Sequence, residues 1–332
     1  MKNFYKNLKR PIMMLAPMSD VTDEAFRRML LKLGRPDIFW TEFVSADGLV
    51  SKGKEKILED LRFFPAEHPI VVQVFGANPG PFKGAAEIIR NLGFDGIDIN
   101  MGCPNKDVVK MGAGAALIKN PNLAKQIIKA VKQGAGGEFP VSVKTRIGYS
   151  KNEVDKWIPA LLEENLAALT VHFRTKNEMF KVPAHWELAK KIVRIRDRYA
   201  QETLIFGNGD VKSLSQACQL AKKTGLDGIM IGRGVLANPW FFSGRTPDLS
   251  ERLDAVIEHV KIFEKLHKNN FLKNGSIKNF DIMKKYFKAY ATGFDGAKDL
   301  RERLMGAKNA NEVKQIIKKF LRSPFYRTGE ML

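Results

Sequence analysis

Short apolar runs alternate with longer amphipathic stretches along the first 232 residues of the chain. The runs are four to six residues long, and most are rich in Val and Ile. They are too short for helices and are typical of buried parallel strands. We predict eight strands, at 12–16, 38–41, 70–75, 96–100, 141–145, 168–172, 204–207 and 228–232.

The stretches between these runs carry apolar residues at helical spacing. At one of them Asn120 precedes Pro121, a capping residue followed by a proline suited to the first helical position. Strands that alternate with helices eight times predict a closed parallel TIM (β/α)8 barrel more readily than an open sheet. We predict helices at 23–33, 81–92, 121–132, 153–164, 183–199 and 213–223.

The strand pattern stops near residue 242. A polar stretch at 243–248 has the composition of a linker. Only helical periods follow it, at 249–272, 277–292 and 310–321. The sequence therefore predicts a barrel domain over 1–242 and a small helical domain over 243–332.

Positive charge is concentrated in the C-terminal part of the chain. The net charge is +19, and residues 261–332 hold 17 Lys and Arg against 7 Asp and Glu, which is +10 of that excess. A basic balance of this size implies a polyanionic partner, with nucleic acid first and an anionic membrane surface second. General lysine enrichment is the alternative, but the uneven distribution favours a basic binding module.

The number of cysteines and the length of the apolar runs exclude several further classes of protein. Two cysteines in 332 residues argue against a disulfide scaffold and indicate a reducing, cytoplasmic location. With only five histidines we expect no metal site. The chain shows no signal peptide and no apolar run of about 18 residues, so we expect no membrane span. Cys218 falls within a predicted helix, where we expect it to pack in the core.

Polar side chains follow the predicted strands where each strand ends. In a barrel these ends meet at one mouth, where chemistry takes place. Lys144 is notable because burying an ammonium inside an apolar strand costs several kcal/mol. The residues at these ends are Pro17, Met18, Ser19, Asp20, Glu42, Gln73, Asn100, Cys103, Lys144, Arg146, His172, Arg174, Asn208, Gly209, Asp210, Gly232 and Arg233.

The last two strand ends indicate a phosphate site. Glycine-rich turns after the seventh and eighth strands of a barrel commonly cradle a phosphate, and Arg233 can grip the anion with two hydrogen bonds. Lys144, Gln73 and His172 would then face a polar ring system over the barrel axis, such as a flavin. A phosphorylated small substrate without a cofactor is the alternative.

The thiol of Cys103 follows a strand that breaks at Gly102-Cys103-Pro104. A thiol there can be a nucleophile, a metal ligand or a general acid. An ordinary cysteine has a pKa of about 8.5 and is mostly protonated at neutral pH. Because the local sequence offers no adjacent base, we favour a general acid that works opposite a hydride donor.

Seven motifs in one order resemble those of the tRNA-dihydrouridine synthases. The similarity continues through Asn238-Pro239-Trp240 into 283–286 and 300–301, and so covers essentially the whole chain. The motifs are Ala16-Pro17-Met18-Ser19-Asp20-Val21-Thr22-Asp23, Asn100-Met101-Gly102-Cys103-Pro104, Gly112-Ala113-Gly114, Val143-Lys144-Thr145-Arg146, His172-Phe173-Arg174-Thr175, Gly207-Asn208-Gly209-Asp210 and 227–234.

This resemblance implies an FMN-binding TIM barrel followed by a helical tRNA-binding domain. It implies that NADPH or NADH reduces the flavin, that a hydride reaches C6 of a flipped-out uracil and that Cys103 protonates C5. Substrate contacts are expected from Asn100, Lys144, His172 and Arg174. FMN contacts are expected from Pro17, Met18, Ser19, Gln73, Lys144, His172, Asn208, Gly209, Asp210, Gly232 and Arg233.

Two departures from the family pattern lie after the sixth strand. Phe173 stands where the family commonly has Gly, and Val182-Pro183-Ala184-His185-Trp186 stands where it has Gly-x-Ala-Asp-Trp. They put the subgroup and the target uridine in question more than the chemistry. No obligate protein partner is evident, and a monomer is the default expectation.

Three other functions compete with a tRNA uridine reductase. The first is a barrel flavoprotein that acts on a free small molecule, of the dihydropyrimidine type. The second is a phosphate-binding barrel without flavin that uses Lys144 as a Schiff-base lysine. The third is a non-catalytic RNA-binding protein, against which Lys144, Cys103 and His172 together argue.

Overall fold

The computed structural model of the chain describes residues 3–268 and 278–322. Their internal contacts group the chain into two compact units. Of the described residues, the first unit contains 3–24 and 36–234, and the second contains 25–35, 235–268 and 278–322. The division at 242/243, with catalysis before it and tRNA binding after it, stays a prediction.

Eight parallel strands form the first unit's sheet in the order β1-β8-β7-β6-β5-β4-β3-β2. The outer strands meet as well, because the Leu15 N–H donates to the Ile38 carbonyl at 3.2 Å and the Asp37 N–H to the Met13 carbonyl at 2.8 Å. The predicted (β/α)8 barrel is therefore confirmed. The strands are β1 Ile12–Leu15, β2 Phe39–Ser45, β3 Ile70–Phe75, β4 Gly96–Met101, β5 Val141–Arg146, β6 Ala168–His172, β7 Leu204–Asn208 and β8 Gly228–Ile231.

Helices follow most strands and continue beyond the barrel. Their starts agree with local capping chemistry, since Asn120 accepts a hydrogen bond from the Leu123 N–H and Ser213 from the Gln216 N–H, both at 3.1 Å. The helices are α1 Glu24–Leu33, α2 Ala46–Leu49, α3 Lys54–Asp60, α4 Pro79–Asn91, α5 Lys106–Lys110, α6 Pro121–Ala135, α7 Val154–Leu162, α8 Ala189–Tyr199, α9 Leu214–Thr224, α10 Arg233–Ala237, α11 Leu249–Lys268, α12 Lys284–Tyr290, α13 Ala297–Met305 and α14 Ala310–Leu321.

The barrel interior has an apolar side and a polar side. Side chains of β1, β2 and β6–β8, such as Met14, Trp40 and Phe206, pack into one buried cluster together with Tyr5. The interior positions of β4 and β5 are polar instead, and Asp98 and Ser142 have no more than 1 % of their surface exposed. This polar side positions the site described below.

Several predicted boundaries are wrong. The strand β2 continues to Ser45 past an irregularity between Trp40 and Phe43, so Glu42 lies within the strand and accepts a hydrogen bond from the Asp20 N–H. The helix predicted from 183 begins only at 189, and the period at 277–292 contains a 3-10 turn and a short helix. Helix α13 was not predicted, and residues 269–272 and 277 of the predicted helices lie outside the described residues.

The prediction for Cys218 is also wrong. Its side chain is exposed, while Ala217, Ala221 and Thr224 of the same helix are buried. Within the part of the chain that the structure describes, no helix combines the length and apolar character needed to cross a bilayer.

Candidate active site

The Cys103 loop is fixed to the barrel wall through two side-chain amides. Asn100, on β4, accepts hydrogen bonds through Oδ1 from the backbone N–H groups of Gly102 and Cys103, at 3.1 and 2.9 Å. Its Nδ2 donates to Gln73 Oε1 on β3 at 2.9 Å. The structure thus connects three of the predicted site residues, Gln73, Asn100 and Cys103.

The thiol itself lies in a partly buried position. Burial raises the pKa of Cys103, against the opposing effects of the Asn105 backbone and the nearby Arg146 and Lys144. A thiol with a raised pKa is protonated at neutral pH, as a general acid requires. Gly114 packs against the backbone of Cys103. Only glycine suits this position, because its φ is +59° and a Cβ there would lie 2.9 Å from the Cys103 carbonyl oxygen.

Two cations of β5 face this loop. Lys144 lies opposite Asn100 in the strand register, and its Nζ lies 3.4 Å from Asn208 Oδ1 on β7. Burial, reinforced by the charge of Arg146, lowers the pKa of Lys144 to about 8. Arg146 donates to the Gly102 carbonyl at 2.7 Å and to the Thr175 carbonyl at 3.0 Å, and burial lowers its pKa to about 10.

The imidazole of His172 at the end of β6 is neutral. Burial first, and then the charges of Arg146, Lys144 and Arg174, hold the pKa of His172 well below its usual range. Its Nε2 lies 3.2 Å from Nη1 of Arg174, which can only donate. The contact therefore assigns the ring proton to Nδ1.

A carboxylate joins two arginines at the ends of β6 and β8. Asp210 accepts from Arg174 through Oδ2 and from Arg233 through Oδ1, the latter at 2.9 Å. The pKa of Asp210 is held below its usual range, because the hydrogen bonds from Arg174 and the Ala184 N–H outweigh the opposing effect of burial. The Arg233 guanidinium also lies over the ring of Phe180, 4.4 Å from its centroid, so this exposed cation is held from two sides.

Two glycines of the predicted phosphate site differ in how closely they are packed. A Cβ on Gly209, at φ +132°, would lie 2.8 Å from the Cβ of Ala184, so only glycine fits there. A Cβ on Gly232 would lie 3.4 Å from Met18 Sδ, an ordinary contact that places the end of β8 beside the loop after β1. Pro17 and Ser19 follow β1 in the same loop as Met18, and Ser19 is exposed.

The loop after β6 accommodates both sequence departures. Phe173 is fully buried, with its ring centroid 4.7 Å from that of Trp186, whose indole N–H donates to the Gly209 carbonyl at 3.0 Å. His185 lies between Glu178 and Glu187, at 2.9 and 3.1 Å, and these partners raise its pKa. Both departures therefore support the loop that carries Arg174.

One residue of this site, Asp98, was not among the predicted residues. It precedes Asn100 by two positions and therefore shares its face of β4, and this two-residue period was the available signal. Arg146 was predicted at the mouth but without a role, and it shares a strand face with Lys144. The contacts gather the predicted side chains at one end of the barrel, and the roles predicted for them stay predictions.

Comparison with known proteins gives one family. The family model described as Dihydrouridine synthase (Dus) matches residues 14–324. A protein named "Probable tRNA-dihydrouridine synthase" from Staphylococcus aureus (strain Mu50) is 40% identical over 323 residues, covering 96% of each chain. "Probable tRNA-dihydrouridine synthase 2" from Bacillus subtilis (strain 168) is 39% identical over 325 residues, covering 97% of each.

Similar solved structures share the fold at low sequence identity. A 2-naphthoyl-CoA reductase complex has a TM-score of 0.53 at 13% identity, covering 72% of this chain and 52% of that one. Histamine dehydrogenase from Rhizobium sp. 4-9 has a TM-score of 0.50 at 12% identity, covering 75% and 48%. At these identities the likeness shows the barrel fold alone.

Proposed function

The chain belongs to the dihydrouridine synthase family, and from that premise we propose that it reduces uridines of tRNA to 5,6-dihydrouridine. The observation that carries the proposal is the partly buried Cys103 thiol, fixed through Asn100 beside the cations Lys144 and Arg146, in a position where burial raises its pKa. A proton donor next to a cationic pocket fits reduction of a carbon–carbon double bond, in which one carbon receives a hydride and the other a proton.

The donor set of the site fits FMN. The phosphate would lie at the Gly232–Arg233 turn, where the exposed guanidinium of Arg233 can donate two hydrogen bonds to it. Lys144 and Asn208 would hold the polar edge of the ring system. Gln73 has no exposed surface and bonds to Asp98 and Asn100 through both amide atoms, so it would act behind them. FMN, when bound there, would supply the hydride that C6 of the uracil receives, after accepting it from NADPH or NADH.

The residues of the chain then divide the remaining work. Cys103 gives its proton to C5, and Asn100 keeps the backbone of that cysteine in place. Lys144 places positive charge where negative charge develops during reduction, and such fixed charges are a large source of catalysis. The neutral His172 would offer its Nδ1–H to the bound flavin or uracil. Arg174 positions the imidazole ring by donating to Nε2.

The first experiment is mass spectrometry of tRNA with the purified protein, FMN and NADPH. We expect uridine to gain two hydrogen atoms at defined positions, and expect tRNA from cells that lack the protein to lose dihydrouridine at those positions. Free uracil or uridine turned over as fast as tRNA would establish a small-molecule reductase instead. Cellular tRNA with an unchanged dihydrouridine content, together with no reaction in vitro, would reject the proposal.

The second unit is proposed to bind the tRNA backbone through its basic residues, without reading sequence. Its helix α14 carries the exposed pair Lys318 and Lys319 in its last turn. The helix α9 of the first unit offers a matched exposed pair, Lys222 and Lys223, also in its last turn. Because α9 runs away from the barrel mouth, its end lies on the opposite face of the barrel.

Replacing both lysines of α14 with glutamine should weaken tRNA binding and its dependence on salt. Each lost phosphate contact lowers the slope of log affinity against log salt by about 0.7–0.9, so we expect a decrease of about 1 to 2. Filter binding between 50 and 200 mM salt measures it. The double variant of Lys222 and Lys223 should keep the parent slope; equal slopes for the α14 variant and the parent would exclude this pair from the contact.

A further inference from the structure

Asp98 is a buried carboxylate that the mechanism above does not use. It lies in the middle of β4 with none of its surface exposed. In the strand register it is adjacent to Gln73 on β3 and to Ser142 on β5. An aspartate without exposed surface is rare unless its charge is fully hydrogen-bonded, so its presence inside the barrel requires a reason.

Both oxygens of Asp98 accept short hydrogen bonds. Ser142 Oγ donates to Oδ1 and Gln73 Nε2 donates to Oδ2, each at 2.6 Å. Although burial raises the pKa of Asp98 to about 6, the carboxylate is ionised at neutral pH. An ionised carboxylate only accepts hydrogen bonds.

This polarity determines the orientation of two amides in succession. Because Asp98 only accepts, Gln73 must turn its nitrogen toward Asp98 and its oxygen toward Asn100. Asn100 must then turn its nitrogen toward Gln73, which leaves its oxygen for the N–H groups of Gly102 and Cys103. A reversed amide at either position would set two donors or two acceptors against each other, which leaves buried polar groups unpaired.

We propose that Asp98 is a positioning residue for Cys103: its carboxylate, acting through the amides of Gln73 and Asn100, holds the backbone that carries the thiol. The inference rests on the proposed function for its catalytic meaning. Asp98 touches neither the thiol nor, in this proposal, the substrate. Its effect passes through three hydrogen bonds that begin inside the barrel and end at the N–H of residue 103.

The test compares three variants in a Cys218→Ser background. Cys218 is exposed and is the one other cysteine, so Cys103 is then the sole thiol of the chain. Asp98→Leu has nearly the same shape but accepts nothing. Asp98→Asn keeps an oxygen that can accept from Gln73 in one of its two orientations. Ser142→Ala is the control, because it removes a buried polar atom beside Asp98 and leaves the Asp98–Gln73 bond in place. All proteins are compared at pH 8, because the hydrogen bond from Ser142 lowers the pKa of Asp98 and its loss must not protonate the carboxylate.

Two readouts report on the loop without RNA. Hydrogen exchange of peptides that cover residues 100–105 reports the amides of Gly102 and Cys103, and iodoacetamide alkylation reports the position of the thiol. In Asp98→Leu we expect the exchange rate and the alkylation rate to rise about tenfold or more. The side-chain amides of Gln73 and Asn100 are then free to turn and no longer protect the backbone N–H groups of Gly102 and Cys103. Asp98→Asn should show a rise of about threefold or more, and Ser142→Ala should stay within about twofold.

Dihydrouridine formation from tRNA at saturating FMN should fall in the same order. If Asp98→Leu does not fold, Asp98→Asn decides. Exchange and alkylation rates equal to the parent in the folded Asp98 variants would overturn the proposal. If the parent makes no dihydrouridine, the proposed function fails, while exchange and alkylation still decide whether Asp98 positions Cys103.

Discussion

Replacing Cys103 with alanine should leave a folded flavoprotein that no longer makes dihydrouridine. Proton transfer from a positioned group contributes about 10²–10⁴-fold to a rate, and we expect product formation from tRNA to fall by that factor. Reduction of the bound flavin by NADPH should stay within about twofold of the parent, because this step takes no proton from Cys103. Stopped-flow absorbance measures the flavin step, and mass spectrometry of tRNA measures the product.

The exposed Cys218 provides the matched control for this prediction. Cys218→Ala also replaces a cysteine with alanine, but on the surface of α9, and should retain the parent rates of flavin reduction and of product formation. Cys103→Ser separates proton donation from packing, since a hydroxyl fills nearly the same space but is a far weaker acid. Product formation at the parent rate in Cys103→Ala would remove the thiol from the mechanism.

The barrel was predictable because its strands are buried on both faces. Such strands consist of nearly continuous apolar residues, which stand out against helices with a 3.6-residue period. The predicted strand ended at Thr41 because the charged Glu42 follows it, while β2 continues past an irregular register to Ser45. A polar residue inside a strand looks the same in a sequence as the strand's end.

Loop structure after β6 was not predictable from local signals. Pro183 is well suited to the first position of a helix, yet the chain there remains a loop. The Val182 carbonyl accepts from Arg174 Nε at 2.6 Å, and the Ala184 N–H donates to Asp210 at 2.9 Å. These contacts join residues 8 and 26 positions apart and outweigh the local helix preference.

The site residue that sequence analysis missed, Asp98, depends on strand register for its contacts. A sequence shows that Asp98 and Asn100 share a face of β4, but not that Gln73 lies between their side chains. The predicted burial of Cys218 was wrong for a similar reason, the rotational position of the residue on its helix. The buried stripe of α9 passes through Ala217 and Ala221, and one position along a helix turns a side chain by about 100°.

Replacing Lys144 with methionine should stabilise the protein while it abolishes the reaction. Burial disfavours the charged form of Lys144 and lowers its pKa to about 8, so the charged side chain destabilises the folded state. We expect the free energy of unfolding at pH 7 to rise on the order of 1–2 kcal/mol, after allowance for partial exposure of the side chain. FMN affinity should fall about tenfold and dihydrouridine formation about 10²-fold or more, because the fixed charge is lost.

The dependence of this stabilisation on pH follows from the sign of the shift. In the unfolded chain Lys144 has its ordinary pKa of about 10.4, so between that value and about 8 the unfolded state binds more protons than the folded state. The parent therefore gains stability as the pH rises through this range, and the advantage of methionine shrinks above pH 8. Urea unfolding of the protein without flavin, at pH 7 and pH 9.5, measures the difference.

Lys132 supplies the control for Lys144, because burial lowers its pKa as well. Its Nζ donates to the carbonyls of Glu164 and Asn165, so Lys132→Met should destabilise the protein and leave FMN affinity and product formation unchanged. The two substitutions thus have opposite signs in stability and differ in chemistry. A Lys144→Met protein that is less stable than the parent at pH 7, or that still makes dihydrouridine at the parent rate, would show that Lys144 is a structural cation.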